Sequence, residues 1–137
     1  MISRFTLLFL SLLVPACSEP SKPLAHKAEP APGLVWRTVG SWSGHGNGQT
    51  GSFSVETGAL RIHWEARAAA AADNSSFKLW LHSAISGRPL QMAVDHKGPG
   101  KDVAYIEDEP RVSYFLVEAG TLDWTVTLEE AAPGSSR

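Results

Sequence analysis

The chain has a single cysteine, Cys17, so a disulfide within the chain cannot contribute to its stability. The chain also has no large excess of charge of either sign, because 12 basic and 14 acidic residues leave a formal net charge of −2 in 137 residues. That balance excludes a broad basic surface for nucleic acid. Long apolar runs are missing too, since Phe5–Val14 has only half of the roughly 20 residues that a membrane-spanning helix needs. An apolar share of 43% does suffice for one folded domain, which must rest on its core alone.

The first residues have the order of a secretory signal peptide, in which a positive charge precedes a short apolar stretch. Arg4 comes directly before Phe5–Val14. The stretch Val14-Pro15-Ala16-Cys17 resembles the lipobox of bacterial lipoproteins, with Pro15 in place of the usual small residue. Residues 1–16 are therefore predicted to be a lipoprotein signal peptide. The alternative is a plain signal peptide in which the cysteine is incidental.

The lipobox resemblance implies what happens to Cys17. In that family the thiol is alkylated with a diacylglyceryl group, the chain is cleaved before the cysteine, and the new amine can be acylated. Two or three acyl chains hold a protein on a bilayer almost permanently. Family members that stay at the inner membrane commonly have Asp at the next position, whereas this chain has Ser18. The resemblance thus implies the bacterial cell envelope, on the periplasmic side of the outer membrane where the cell has one.

Residues 17–33 are predicted to be a disordered tether that begins at the lipidated cysteine, because prolines alternate with Ser, Lys, Ala and Glu. Proline-rich chain extends by about 3.1 Å per residue, which gives a reach of roughly 50 Å. The folded domain is expected over residues 34–130, and residues 131–137 are expected to be a flexible tail.

The rest of the chain alternates apolar and polar residues with a period of two, which predicts β-strands. The alternation is clearest in LRIHWEA from Leu60, FKLWLHS from Phe77 and LDWTVTLEE from Leu122. RVSYFLVEA, from Arg111, is apolar on both faces and is expected to be a central strand covered on both sides. Weaker candidates span residues 36–43, 52–56, 90–95 and 103–107.

About eight short strands separated by turn signals predict an all-β fold, either an antiparallel β-sandwich of jelly-roll type or a small barrel. Trp64 and Trp124 each lie on an unbroken apolar face and are expected in its core. The alanine-rich residues 65–73 suit either a helical turn or a loop. From its first Trp-containing strand to its closing DWTVTL, the order of features is similar to a loose group of small secreted bacterial β-sandwich domains, often carried on lipoproteins. That resemblance covers residues 36–128 and implies a fold but no active site.

Motifs for catalysis or cofactor binding are weak. The glycine-rich residues 44–51, GHGNGQTG, lack the Lys-Ser/Thr pair and the following helix of a phosphate-binding loop, so we interpret them as a hairpin loop. No serine lies in a Gly-x-Ser-x-Gly pattern. We therefore expect neither an enzyme nor a bound cofactor.

Two groups of residues leave an alternative open, a small enzyme or metal-handling protein of the envelope. His63 and His82 both lie on the polar faces of their strands and would converge if those strands were neighbours. Glu107, Asp108 and Glu109 supply three carboxylates of the kind that bind calcium. Consecutive side chains at a strand end point apart, however, so a solvated turn and no metal is the expected state.

Trp80 is the best candidate for a contact residue. Its apolar neighbours in FKLWLHS take the core face, which places Trp80 outward with Lys78 and His82. If the LRIHWEA strand pairs nearby, Arg61 and His63 join that face. An outward Trp beside cationic and imidazole groups suits a sugar ring or a protein partner. The plainer alternative is that a loop or second layer covers Trp80.

Taken together, these features predict a membrane-anchored lipoprotein of the cell envelope whose β-sandwich is a binding or structural module. Its expected partners are the membrane, through the lipid on Cys17, and an envelope protein or glycan.

Overall fold

The computed structural model describes residues 33–70 and 74–134. Within these ranges the chain forms nine β-strands in two antiparallel sheets and no helix, which confirms the predicted all-β sandwich. The strands are β1 (Leu34–His45), β2 (Gly48–Gln49), β3 (Phe53–Val55), β4 (Ala59–Ala68), β5 (Ser76–Ser83), β6 (Pro89–Lys97), β7 (Gly100–Glu107), β8 (Arg111–Glu118) and β9 (Leu122–Pro133).

Sheet A has four strands in the order β1-β9-β4-β7, so the last strand of the described chain is internal and pairs on both sides. A register irregularity in β1 lies between Thr38 and Gly40. It shifts the alternation by one residue, so that Trp36 and Ser41 pair with β9 residues of the same outward face. The long first strand thereby presents side chains to solvent along its whole length.

Sheet B has five strands, with β2 and β3 both paired to β8, followed by β5 and β6. The central position predicted for β8 is confirmed, but its predicted cover on both faces is wrong. The inner residues Phe115 and Val117 are almost fully buried, whereas Val112 on the outer face is 37% exposed. Only the inner face of this strand packs against sheet A, which explains the difference.

The core lies between the two sheets and is built by alternate residues of the paired strands. Trp64 and Trp124 are 7% and 4% exposed, which confirms their predicted core positions. The ring of Trp64 stacks on Phe77 of the opposite sheet at a centroid distance of 5.3 Å. Trp42 packs on Phe53 and Phe115 at the other side of the core.

Three predicted boundaries differ from the structure. The two-residue strand β2 was not expected and makes nine strands in place of about eight. Strand β9 continues past Glu130 to Pro133, because Ala131 and Ala132 pair with β1, so the predicted flexible tail begins too early. Residues 65–68 extend β4 as backbone partners of β9, and residues 71–73 lie outside the described ranges.

The glycine-rich loop joins the two sheets and is not a hairpin, because β1 belongs to sheet A and β2 to sheet B. The side-chain oxygen of Asn47 accepts hydrogen bonds from the backbone amides of Ala119 and Gly120. The indole nitrogen of Trp124 donates to the carbonyl of Gly46, at 2.8 Å. These contacts give the loop a structural role, since they tie it to the start of β9 and to the turn before it.

Candidate functional site

The outward side chains of sheet A, which we call the sheet A face, carry most of the polar chemistry of the described domain. Antiparallel pairing aligns Arg61 and His63 of β4 with Glu129 and Thr127 of β9. It also aligns Arg61 with Tyr105 of β7 on the other side of β4. Side chains that are far apart in the sequence therefore stand side by side on this face.

Glu129 is the centre of the sheet A face. Its carboxylate accepts hydrogen bonds from Nε of Arg61 at 2.5 Å and from Nε2 of His63 at 2.8 Å. The Glu129 side chain is only 16% exposed. Burial works to raise the pKa of Glu129, but the hydrogen bonds from Arg61 and His63 outweigh it, and the pKa is lowered. The ionised carboxylate thus holds both partners in fixed orientations.

An aromatic group adjoins this cluster. The guanidinium of Arg61 lies 4.5 Å from the centre of the Trp36 ring, in cation–π geometry. Tyr105 approaches the same Trp36 ring with a centroid distance of 6.2 Å. Ala131 is the backbone partner of Trp36 on β9, and so small a residue leaves room above the sheet for the larger rings. A small groove of about 240 Å³ opens here, lined in part by Trp36, Ala59 and Tyr105.

A larger groove lies farther along β4 and β7. It has a volume of about 430 Å³, within the range of roughly 300–1,000 Å³ that is typical of small-ligand sites. Its walls carry groups of every hydrogen-bonding type, together with an aliphatic surface. The lining residues are His63, Trp64, Glu65, Lys101, Asp102, Val103, Thr125 and Thr127.

The structure divides the predicted contact residues between the two sheets. Arg61 and His63 lie on the sheet A face, whereas Lys78, Trp80 and His82 lie on β5 in sheet B. The expected pairing of their two strands does not occur, because β4 pairs with β7 and β9 while β5 pairs with β6 and β8. The chain crosses from one sheet to the other between β4 and β5.

Trp80 points outward, as predicted, but it is half-buried. Its backbone partners are Leu116 on β8 and Met92 on β6, so it lies in an apolar stripe across three strands. His82 on the same face is 9% exposed and its Nδ1 lies 3.1 Å from the carbonyl oxygen of Gly87. That contact ties the imidazole to the turn after β5, and His82 is less available to a ligand than the sequence suggested.

The groups considered for a metal do not assemble. His63 and His82 lie on the two different sheets and do not converge. In the acidic loop, Asp108 and Glu109 both contact Arg111 at 3.2 Å, so a guanidinium faces two of its three carboxylates. Among the described residues, no group of three or more His, Cys, Asp or Glu side chains is placed to hold a metal ion.

A histidine–carboxylate pair stands at the far end of the sheet A face. Nδ1 of His45 lies 2.7 Å from a carboxylate oxygen of Asp123. Both side chains are well exposed, and within residues 33–70 and 74–134 the His45 ring contacts no hydroxyl group that would complete a catalytic triad. The pair joins directly opposite positions of β1 and β9 at this end of the sheet.

Sequence reasoning missed four contributors to the sheet A face: Trp36, Lys101, Tyr105 and Glu129. Alternation in LDWTVTLEE does place Glu129 on the face opposite the core. Its partners come from a strand more than sixty residues earlier, as the separations of 68 and 66 residues to Arg61 and His63 show. Local pattern does not encode such pairing.

No protein-family model matches the chain, and no curated protein matches it either. In the ranges that the structure describes, no helix is both long and apolar enough to cross a membrane. The predicted signal peptide, the predicted lipidation at Cys17 and the predicted tether up to residue 32 lie outside those ranges.

Proposed function

We propose that the chain is a lipid-anchored protein of the bacterial cell envelope whose β-sandwich is a binding module, with the sheet A face as its binding surface. The anchor rests on the apolar stretch Phe5–Val14 and the lipobox-like residues that end at Cys17. The binding surface rests on the groove beside the Arg61–Glu129–His63 cluster.

The observation that carries the proposal is that this surface is organised before any ligand arrives. Arg61 is held from two directions, by the Glu129 carboxylate and by the ring of Trp36. His63 is fixed by the same carboxylate and lines the groove. Side chains that are already ordered lose little rotamer entropy on binding, which favours affinity.

Binding is favoured over catalysis because both histidines of this face and its most buried carboxylate are already partnered. Glu129 is ionised between two nitrogen donors, and His45 is paired with Asp123. A general acid or base needs a free proton site within hydrogen-bonding reach of a substrate. The large groove is also open to solvent along the sheet, which suits recognition of an extended ligand.

The two termini of the described domain lie together, so a tether would join the sandwich at one end. The amide of Gly134 donates to the carbonyl of Gly33 at 2.8 Å, so both termini of the described domain meet at one end of the sandwich. In this proposal the segment from Cys17 joins the domain at Gly33. Trp36 lies near this end, and the opposite end carries the His45–Asp123 pair.

A second candidate surface is the sheet B stripe around Trp80. The observation in its favour is that Met92 is 39% exposed directly beside Trp80, and Leu116 lies on its other side. Exposed apolar side chains on neighbouring strands are typical of protein–protein contacts. Under this alternative, Trp80 and Lys78 contact an envelope protein, and the sheet A face is a solvated surface.

Site-specific photo-crosslinking in living cells distinguishes the two surfaces. A benzophenone amino acid replaces Val103 in the sheet A groove in one variant and Met92 beside Trp80 in the other. We expect covalent adducts from position 103 and few from position 92. Adducts only from position 92 would move the binding surface to sheet B, and adducts from neither position would contradict the binding-module proposal.

A further inference from the structure

The large groove of the sheet A face has a lining that points to one class of ligand. Resting on the function proposed above, we infer that it binds a neutral saccharide chain. The groove combines an ammonium, a carboxylate, an imidazole, two hydroxyl groups and an aliphatic side chain within one open depression. Those groups belong to Lys101, Glu65, His63, Thr125, Thr127 and Val103.

The hydrogen-bonding capacity of this lining matches sugar hydroxyl groups. Each sugar hydroxyl donates one hydrogen bond and accepts others, so it needs donors and acceptors close together. Lys101 has no ion-pair partner among the described residues, and its ammonium is free to donate. Glu65 is 45% exposed, and its one ion pair within the described part of the chain is to Arg67 at 3.6 Å, so its carboxylate can still accept from a ligand.

The charges around the groove favour an uncharged ligand. Lys101 contributes one positive charge and Glu65 one negative charge, while Asp102 pairs with the core residue Trp64 and so projects from the opposite face of β7. Glu129, just outside, is ion-paired with Arg61 and hydrogen-bonded to His63. A strongly anionic polymer would meet the Glu65 carboxylate, and a cationic one would meet the Lys101 ammonium.

An aromatic ring lies at the end of the groove where a longer ligand would continue. Tyr105 is on the same face of β7 as Val103, two residues further along the strand, and it is 38% exposed. The apolar C–H face of a pyranose ring packs on such a ring while its hydroxyl groups stay solvated. One face of Trp36 is already occupied by Arg61, so Tyr105 is the ring that is available.

The test titrates the full-length chain, produced in bacteria and solubilised in mild detergent, with defined saccharides in a calorimeter. The neutral probes are the β-1,4-linked tetrasaccharides of glucose and of N-acetylglucosamine. The charged probe is a hyaluronan tetrasaccharide of similar size. We expect saturable binding of at least one neutral probe and at least tenfold weaker binding of the charged one.

Variants locate the site. Lys101→Ala and Tyr105→Ala should each weaken binding of the neutral probe about tenfold, which corresponds to roughly the loss of one good polar or stacking contact. Lys78→Ala is the matched control, because Lys78 is an outward lysine on the other sheet. It should bind like the parent chain. Circular dichroism of every variant verifies that the β-fold is retained.

Three results would overturn the inference: no saturable binding of either neutral probe at millimolar concentration, preferred binding of the charged probe, or equal loss in Lys78→Ala and Lys101→Ala. These outcomes are separable from failure of the proposed function. A protein adduct from position 103 without saccharide binding retains the binding module and removes the saccharide.

Discussion

Glu130 is a carboxylate on the inner side of sheet A, where an unpartnered charge would be costly. It is 1% exposed and accepts hydrogen bonds from the Arg37 guanidinium at 2.5 Å and from the backbone amides of Glu56 and Thr57 at 2.9 and 3.2 Å. Burial works to raise the pKa of Glu130, but these donors outweigh it, and the pKa is lowered. A single side chain thus fastens the turn before β4 to the end of β9.

Removing this charge should destabilise the domain. Glu130→Gln leaves the donors of Arg37 and the turn facing a neutral amide, so the free energy of unfolding at pH 7 should fall by about 1.5–3 kcal/mol. Urea unfolding followed by Trp fluorescence measures it, with Glu129→Gln as the more exposed control. An unchanged urea midpoint in Glu130→Gln would show that the buried carboxylate adds nothing to stability.

The contribution of Glu130 to the free energy of unfolding should depend on pH. Because the folded-state pKa of Glu130 is lowered, its ionised form stabilises the fold. That contribution is complete above the ordinary Glu value of about 4.3 and is lost as the pH falls below it through the folded-state pKa. Between pH 7 and pH 3 the parent should therefore lose more stability than Glu130→Gln, and parallel losses would contradict this assignment.

Trp80 and Trp64 provide a comparison of two environments. Trp64 is 7% exposed and stacked on Phe77, so Trp64→Ala should cost about 3–5 kcal/mol. Trp80 is half-buried between Leu116 and Met92, and Trp80→Ala should cost about 1–2 kcal/mol. Urea midpoints of the two variants test this order. A loss in Trp80→Ala as large as in Trp64→Ala would mean that Trp80 is a core residue, and no loss would mean that it is free for a partner.

Among the secondary-structure elements, the turns at one end of the sandwich depend on a close backbone approach. The carbonyl of Gly58 accepts a hydrogen bond from the amide of Asp108 at 2.9 Å, which joins the start of β4 to the loop after β7. Gly58 has φ of 81°, and a Cβ there would lie 2.0 Å from the carbonyl oxygen of Asp108. Only glycine combines that backbone angle with that approach.

Gly58→Ala should therefore be more damaging than an ordinary substitution at positive φ. Gly87 is the matched control, because its φ is 72° and no atom lies within 4 Å of a Cβ built there. We expect about 1 kcal/mol of destabilisation in Gly87→Ala from backbone strain alone, and at least twice that in Gly58→Ala. Thermal and urea unfolding measure both, and equal losses would show that the loop after β7 moves away without cost.

For the whole molecule, the proposed function assigns membrane attachment and ligand recognition to different parts of the chain. The termini of the described domain meet at Gly33 and Gly134, while the large groove lies along β4 and β7. In that proposal, the predicted tether of roughly 50 Å would let the groove reach well away from the bilayer.

The proposed lipid anchor at Cys17 can be tested directly. Cys17→Ser should abolish lipidation and leave the precursor uncleaved, because in the lipoprotein family the processing enzyme acts on the lipid-modified thiol. Metabolic labelling with a radioactive fatty acid and the size of the product on a gel measure both effects. Ser18→Ala is the control and should still be labelled. Equal label in Cys17→Ser and in the parent chain would end the lipoprotein hypothesis.

Alternation of residue types was enough to predict the class of fold and the direction of many side chains. Period-two patterns alone predict Trp64 and Trp124 in the core and Trp80 on the outward face. These predictions succeed because burial of alternate side chains is a local property of an extended strand. They fail where cover depends on another layer, as on the outer face of β8 with Val112.

Only the tertiary structure decides which strands share a sheet. Antiparallel pairing brings β4 beside β9 and sends β5 to the opposite sheet, which joins Arg61 and His63 to Glu129 and separates them from Trp80. An alternating pattern predicts which face of a strand is apolar, but it does not predict which strand pairs with it. Register between strands some sixty residues apart follows from how all nine strands bury their apolar faces together, and the candidate site exists only once that packing is complete.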